Sequence, residues 1–359
     1  MTLTTIADDS LFQPLILPHG PKLKNRLALA PLTNTQSHGD GTLSDDEYRW
    51  LTMRAAGGFG LVKTCAIAVE ERGRGYPGQL GAWNDKHISG LTRLAEGVKA
   101  HDALACAQLS HSGPRALLNR IGVVAEPGNE VRELSNEDIA TLIQRFVDAA
   151  QRCEKAGFDG VELHAAHGFL PAQFLSPDIN TRTDNWGGDL TNRARFIREI
   201  LEQIRSATRT DFQLGLRLSP ERFGLRMAEI LELAQTIMAS GVIDWLDMSL
   251  WDVFKLPEEI EFADKPLLSW FAELDRGQTR LGAAGNILSR GAAVQALELG
   301  ADYVDIGKAA ILAHDFPQKV ADDIDYKSPA RPVSEALLRE QGLGQAFINY
   351  MRSFEGFVE

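Results

Sequence analysis

Eight times along the chain, a short apolar run ends in small or polar residues, passes through a loop and gives way to a segment with helical periodicity. This alternation constrains the fold more tightly than any other feature. The runs lie at 26–30, 60–67, 103–109, 158–164, 212–218, 244–250, 280–284 and 303–306. Their alanine, valine, leucine and isoleucine content suits strands covered on both faces. Strands alternating with helices imply a parallel sheet. Eight of them predict an α/β chain closed into a (β/α)8 TIM barrel. An open, doubly wound sheet is the alternative, but no Gly-x-Gly-x-x-Gly follows the first run. The Gly57-Gly58-Phe59-Gly60 stretch precedes a run and reads as a helix-to-strand turn.

The segments between the runs carry helix signals. Ser44 with Glu47 predicts a capping box ahead of Tyr48, Leu51 and Ala55. Ser135 opens a helix whose Ile139, Leu142, Ile143, Phe146, Val147 and Ala150 keep one face apolar, with Gly157 beyond its end. A third stripe runs from Phe196 to Ile204, a fourth from Met227 to Met238 before Gly241, and Ser289 and Gly300 bracket another helix. Two parts lie outside the repeat: a long loop after the third strand, 110–134, and a C-terminal helical tail, 315–359, with a short helix near 334–341. The 359 residues are read as a single domain, 1–359, with the barrel at about 25–314.

Net charge is −12, so the chain's own field repels phosphate backbones and anionic lipid, which argues against nucleic-acid and membrane partners. Cys65, Cys106 and Cys153 are scattered and form no Cys-x-x-Cys pair; a disulfide framework and a metal centre are not expected, and a reducing cytoplasm fits. The polar, acidic start, Met1 to Ser10, lacks the pattern of a secretory leader, and no segment has the length and purity of a membrane span.

In a barrel, reactive side chains belong at strand C-termini and in the loops after them. The last two such loops hold Gly285-Asn286 and Gly307-Lys308, where backbone N–H groups and one full positive charge can meet a phosphate. Arg217 ends the fifth strand, and a buried guanidinium needs an anionic ligand or a neighbouring carboxylate such as Glu162. Gln108 ends the third and offers both donor and acceptor to a pyrimidine edge. His164 and His167 follow the fourth; two neutral imidazoles can donate to one oxygen as it gains negative charge. A metal held by both with Glu162 is the alternative.

The chain resembles the Old Yellow Enzyme family of FMN-dependent NADH:flavin oxidoreductases and ene-reductases. The resemblance begins at Leu11-Phe12-Gln13-Pro14-Leu15 and Lys24-Asn25-Arg26 and continues through Gln108-Leu109-Ser110-His111-Ser112-Gly113. Its most specific block is Val161-Glu162-Leu163-His164-Ala165-Ala166-His167-Gly168, running on through Phe174-Leu175-Ser176-Pro177, Asn180-Thr181-Arg182-Thr183-Asp184, Gly187-Gly188 and Asn192-Arg193. The resemblance implies that Ala30, Pro31, Leu32, Thr33 and Ala66 contact the flavin, with the Thr33 hydroxyl near its O4–N5 edge. Gln108 and Arg217 would bind its pyrimidine side, and Ala284, Gly285, Asn286, Gly307 and Lys308 its phosphate end. His164 and His167 would hold the carbonyl or nitro oxygen of a small-molecule substrate. NAD(P)H would give hydride to the flavin, and an α,β-unsaturated carbonyl would then take it at the β-carbon.

Two residues depart from the family pattern. Phe169 stands where a proton-donating tyrosine is common, which removes a general acid worth roughly 10²–10⁴-fold. Enone reduction would then be slow, or the proton would come from elsewhere; Tyr76 is one source. Lys308 replaces an arginine, keeping the charge and losing the fork geometry. In a homo-oligomer Arg352 would reach into a neighbour's site, as a C-terminal arginine does in some relatives. An NAD(P)H oxidase or flavin-binding protein with weak enone activity, and a non-redox phosphate-binding lyase or isomerase using His164 and His167 as acid and base, are the competing readings.

Overall fold

The computed structural model describes residues 9–359; the acidic start read from the sequence lies largely outside them. Eight parallel strands close into a barrel in the order β1-β10-β9-β8-β7-β6-β3-β2. The strands are β1 Leu27–Leu29, β2 Leu61–Ala68, β3 Leu104–Ser110, β6 Gly160–Ala165, β7 Gln213–Leu218, β8 Trp245–Ser249, β9 Arg280–Ala284 and β10 Tyr303–Ile306. The predicted runs overlap all eight and differ only by one or two residues at the ends, where hydrogen bonding rather than apolarity sets the boundary. The remaining pair, β4 Ile121–Gly122 and β5 Arg132–Glu133, forms a small parallel sheet inside the long loop after β3.

Local signals account for most helix ends. Ser135 caps helix Asn136–Lys155, with Asp138 reaching back to complete a capping box. Gly241, at φ +69°, ends helix Met227–Ser240 in the left-handed conformation that glycine adopts without strain. The box expected at Ser44 is only half formed. Ser44 accepts from the Glu47 N–H, but the Glu47 side chain turns inward. There it accepts from Asn34 at 3.1 Å, from the Ser37 hydroxyl and from the Cys65 thiol at 2.9 Å. A buried set of donors outcompetes the Ser44 backbone N–H for that carboxylate, and burial pushes it above its ordinary value.

The barrel floor is plugged by the strand-like bridge Leu15↔Leu23, which packs with Leu61, Leu104, Trp245 and Tyr303. Gly215 and Gly282 make room for the Trp245 and Tyr303 rings, since a Cβ at either would collide with them. At the other end the tail folds back on its own barrel. Helix Gln345–Arg352 buries Phe347 and Ile348, with Phe347 meeting Trp50 edge-on at 4.8 Å. Gly344 N–H donates to Gln36 at 2.8 Å, which ties this helix to the loop after β1. The tail therefore reaches the C-terminal mouth of the strands.

Candidate active site

The mouth is a continuous concavity of two lobes, about 490 and 520 Å³, joined at Pro31, Leu32, His167, Arg217, Lys308 and Tyr350. One lobe gathers Thr33, Ala66, Gln108, His164 and Phe169. The other gathers Ala30, Ala284, Gly285, Asn286 and Gly307. With Ser249 and Trp251 from β8 and the loop after it, residues from all eight barrel strands or the loops after them converge on one opening. Tyr76 is not among the lining side chains; its hydroxyl faces the Ala66 carbonyl at 3.5 Å. Gln79, which the sequence reading passed over, donates to the same carbonyl at 2.7 Å and holds that strand end in place.

One end of the concavity suits a phosphate. A Cβ on Gly307 would meet nothing closer than Leu32 at 3.7 Å and Ala30 at 3.8 Å, so the space beside this backbone is open. A Cβ on Gly285 would come within 2.8 Å of the Trp251 and Asp252 backbone, so glycine lets two loops pass closely there. Lys308 is exposed and has no carboxylate partner among the described residues. An unpaired cation beside open N–H groups favours an anionic ligand.

Below the middle of the mouth lies a charged barrel interior. His164, Arg217 and Asp247 are lateral neighbours across β6, β7 and β8. Arg217 Nε lies 3.1 Å from Asp247, not beside Glu162 as the sequence alternative had it. Glu162 is occupied by Gln108 and by Trp245 Nε1, each at 2.8 Å, and by Lys63 at 2.9 Å. Lys63 also meets Asp305 at 2.9 Å and Asp247 at 3.1 Å. The sequence reading missed Lys63, Asp247 and Asp305. The available signal was a charged residue at an inward position of an otherwise apolar strand.

The histidine pair is set by a tight turn. His167 and Gly168 adopt φ +59° and +71°, and Phe169 opens helix Leu170–Leu175. Arg115, from the loop after β3, clamps the turn by donating to the His167 carbonyl at 2.7 Å. The two imidazoles stand 5.1 Å apart, and the Phe169 ring lies 4.8 Å from His164. His167 Nε2 pairs with the Ser249 hydroxyl at 2.7 Å, while His164 Nδ1 is buried with no hydrogen-bond partner. Burial, and then the Arg217 charge, lower His167 to about 3. Burial, then His167 and Arg217, hold His164 well below its usual value. Both rings are neutral near neutral pH and can each donate one N–H to an oxygen. No described group of three or more His, Cys, Asp or Glu residues is arranged to hold a metal.

The sequence profile of the NADH:flavin oxidoreductase / NADH oxidase family matches residues 10–327. The chain belongs to this family. It is 33% identical to the NADPH dehydrogenase of Bacillus subtilis over 89% of this chain and 96% of that one. It is 32% identical to the NADH:fumarate oxidoreductase of Klebsiella pneumoniae over 88% of this chain, yet it spans only 36% of that longer protein. The morphinone reductase structure superposes with a TM-score of 0.76 at 26% identity, covering 92% of each chain. This family member is an NAD(P)H-dependent flavin oxidoreductase of the Old Yellow Enzyme kind, and its cofactor is FMN. No described helix is long and apolar enough to cross a membrane.

The tail supplies side chains that the sequence reading did not place at the mouth of their own chain. Tyr350, Phe354 and Arg331 line the concavity of their own chain. Arg352 does not: it pairs with Glu335 and contacts Asn349 at 3.4 Å within its own tail. On the helix, residue 352 is two positions from 350 and so faces elsewhere.

Proposed function

We propose that this oxidoreductase takes hydride from NAD(P)H and passes it to a small electron-poor acceptor such as an α,β-unsaturated carbonyl. The observation that carries this reading is the placement of two neutral imidazoles, His164 and His167, at the same mouth as Arg217 and the glycine-bounded opening beside Lys308. The residues present fit FMN: the Arg217 guanidinium is buried with Nε lacking a well-aligned acceptor, and the space at Gly307 admits a phosphate. Gly285, Asn286, Gly307 and Lys308 would hold the phosphate, and Gln108 and Arg217 the pyrimidine. Ala30, Pro31, Leu32, Thr33, Ala66 and Ala284 would pack against the rest. Bound FMN supplies a two-electron carrier between NAD(P)H and the acceptor. His164 and His167 orient the acceptor oxygen and meet its developing charge. Phe169 forms an apolar wall beside it and donates no proton.

Phe169 favours a second reading, an NAD(P)H oxidase with weak enone activity. Steady-state NADH and NADPH consumption, with and without cyclohexenone, in air and anaerobically, separates the two. Acceptor-dependent consumption without oxygen supports the ene-reductase; consumption only in air supports the oxidase. A lyase using the pair as acid and base is disfavoured because both rings are held neutral. We further propose one FMN-binding domain over 1–359, with the barrel at about 25–314 and the tail at 315–359, a cytoplasmic location, and a homo-oligomer.

Gly307→Val tests the phosphate end. A Cβ there meets only ordinary contacts with Leu32 and Ala30, so the apoprotein's thermal midpoint should move less than FMN affinity does. FMN affinity, read by quenching of flavin fluorescence, should fall at least about tenfold, a loss of about 1.4 kcal/mol. Unchanged affinity would place the phosphate elsewhere.

A further inference from the structure

Reducing a carbon–carbon double bond takes a proton as well as a hydride. Hydride arriving at the β-carbon breaks the π bond and sends its electron pair to the carbonyl oxygen, where His164 and His167 can meet it. The α-carbon of the resulting enolate must then be protonated. Phe169, beside His164, has no proton to give, and the two histidines carry no imidazolium to spend.

The chain has five tyrosines. Tyr303 lies in the barrel interior with its hydroxyl 3.3 Å from Lys63. Tyr48 lies under Arg93 at 4.0 Å, and Tyr326 packs on Phe316 at 5.7 Å. Tyr76 turns its hydroxyl to the Ala66 carbonyl, Cys65 and Thr33, and the residue lines neither lobe. Tyr350 lines both lobes of the mouth, and its hydroxyl faces that of Thr33. Of the other hydroxyl and carboxyl groups there, Ser249 is engaged by His167, Asp305 is buried against Lys63 at 2.9 Å, and Glu355 sits exposed on the rim.

We propose that Tyr350, brought back to the mouth by the C-terminal tail, is the general acid that protonates the α-carbon of the acceptor. The assignment rests on the enone reading above. The ring is held by Phe354 edge-on at 5.1 Å and by Phe347 at 6.5 Å, on a helix whose Phe347, Ile348 and Met351 are buried. Burial raises the phenol and the Thr33 contact opposes this only in part, so the hydroxyl is protonated near neutral pH. In the step, the Tyr350 O–H bond breaks, a C–H bond forms at the α-carbon, and the enolate electron pair is consumed. The phenolate then regains a proton from water at the open mouth, with the Thr33 hydroxyl beside it.

Tyr350→Phe keeps the ring and removes only the hydroxyl. The holoenzyme variant should reduce a 2-substituted enone roughly 10²–10⁴-fold more slowly, the range for a lost general acid. Its quinone reduction, which needs no proton on carbon, should fall far less. In D2O the label at the α-carbon should pass from one face to both. Adding Phe169→Tyr to this variant should restore rate and facial selectivity, which a packing defect would not allow. An enone rate and α-stereochemistry equal to those of the unmodified enzyme would overturn the assignment, leaving water or another group as donor. Equal losses toward enone and quinone, without rescue by Phe169→Tyr, would overturn it in favour of a packing role. If the unmodified enzyme reduces quinones and no enone, the enone reading itself fails, and this assignment with it.

Discussion

Replacing Lys63 by methionine should lower the folding free energy by about 3–5 kcal/mol at neutral pH, the usual cost of stranding buried charges. Lys63 is fully buried and meets Glu162, Asp247 and Asp305 within 3.1 Å. Burial alone would lower its ammonium, but the three carboxylates outweigh burial and raise it well above its usual value. Two cations, Lys63 and Arg217, face these three carboxylates. Burial, and then the Asp247 charge, raise Asp305 well above its ordinary 3.8. Methionine fills similar volume and removes one positive charge. The remaining carboxylates must then take up protons or lie uncompensated. Their folded pKa values in the variant would be raised, so stability is gained below the ordinary carboxylate range and lost as pH rises through the raised values. The deficit should therefore shrink on acidification. Urea unfolding at neutral and mildly acidic pH measures both effects. A variant within about 1 kcal/mol of the parent at neutral pH would mean that the cluster's charges are already offset by other groups.

The second large effect is on catalysis. His164→Ala should slow hydride transfer to a carbonyl acceptor roughly 10²–10³-fold, the loss typical for one oxyanion donor. FMN should stay bound, because His164 lies at the acceptor side of the mouth, with Phe169 at 4.8 Å. Stopped-flow oxidation of the reduced enzyme by cyclohexenone, together with phenol binding followed by flavin absorbance, reads both quantities. Loss of FMN in this variant would place His164 in the flavin site. The parent should show no inflection near the ordinary histidine value of 6.5, since His167 titrates only at about 3. The linkage has the opposite sign to that of Lys63. A base lowered by the fold contributes stability above 6.5, and this contribution is lost as pH falls toward 3.

The barrel was legible because its signals are local. Period-two and 3.6-residue apolarity, with caps such as Ser135 and Gly241, depend on neighbours a few residues away. The mouth residues were legible for a related reason: strand ends in a barrel all open on one side. The Ser44 box failed because Glu47 found buried donors on other elements, Asn34 and Cys65, that no local pattern announces. Arg352 was the charged residue of the tail that drew notice, yet its neighbour Tyr350 lines the mouth. Two residues, about 200° of helix phase, separate the two, and that phase follows from how Phe347 docks on Trp50.

The eightfold strand–helix alternation, the barrel and the loops that carry the His164–His167 pair, Arg217, Gly307 and Lys308 are thus written in the residue order. Those features need only chain order and side-chain period. Tertiary structure alone decided that Lys63 would meet three carboxylates from three other strands, that both histidines would be neutral, and that Tyr350 would reach Thr33 from more than 300 residues away. Burial and Coulomb interactions depend on distances across the closed barrel, and those distances exist only after it has closed.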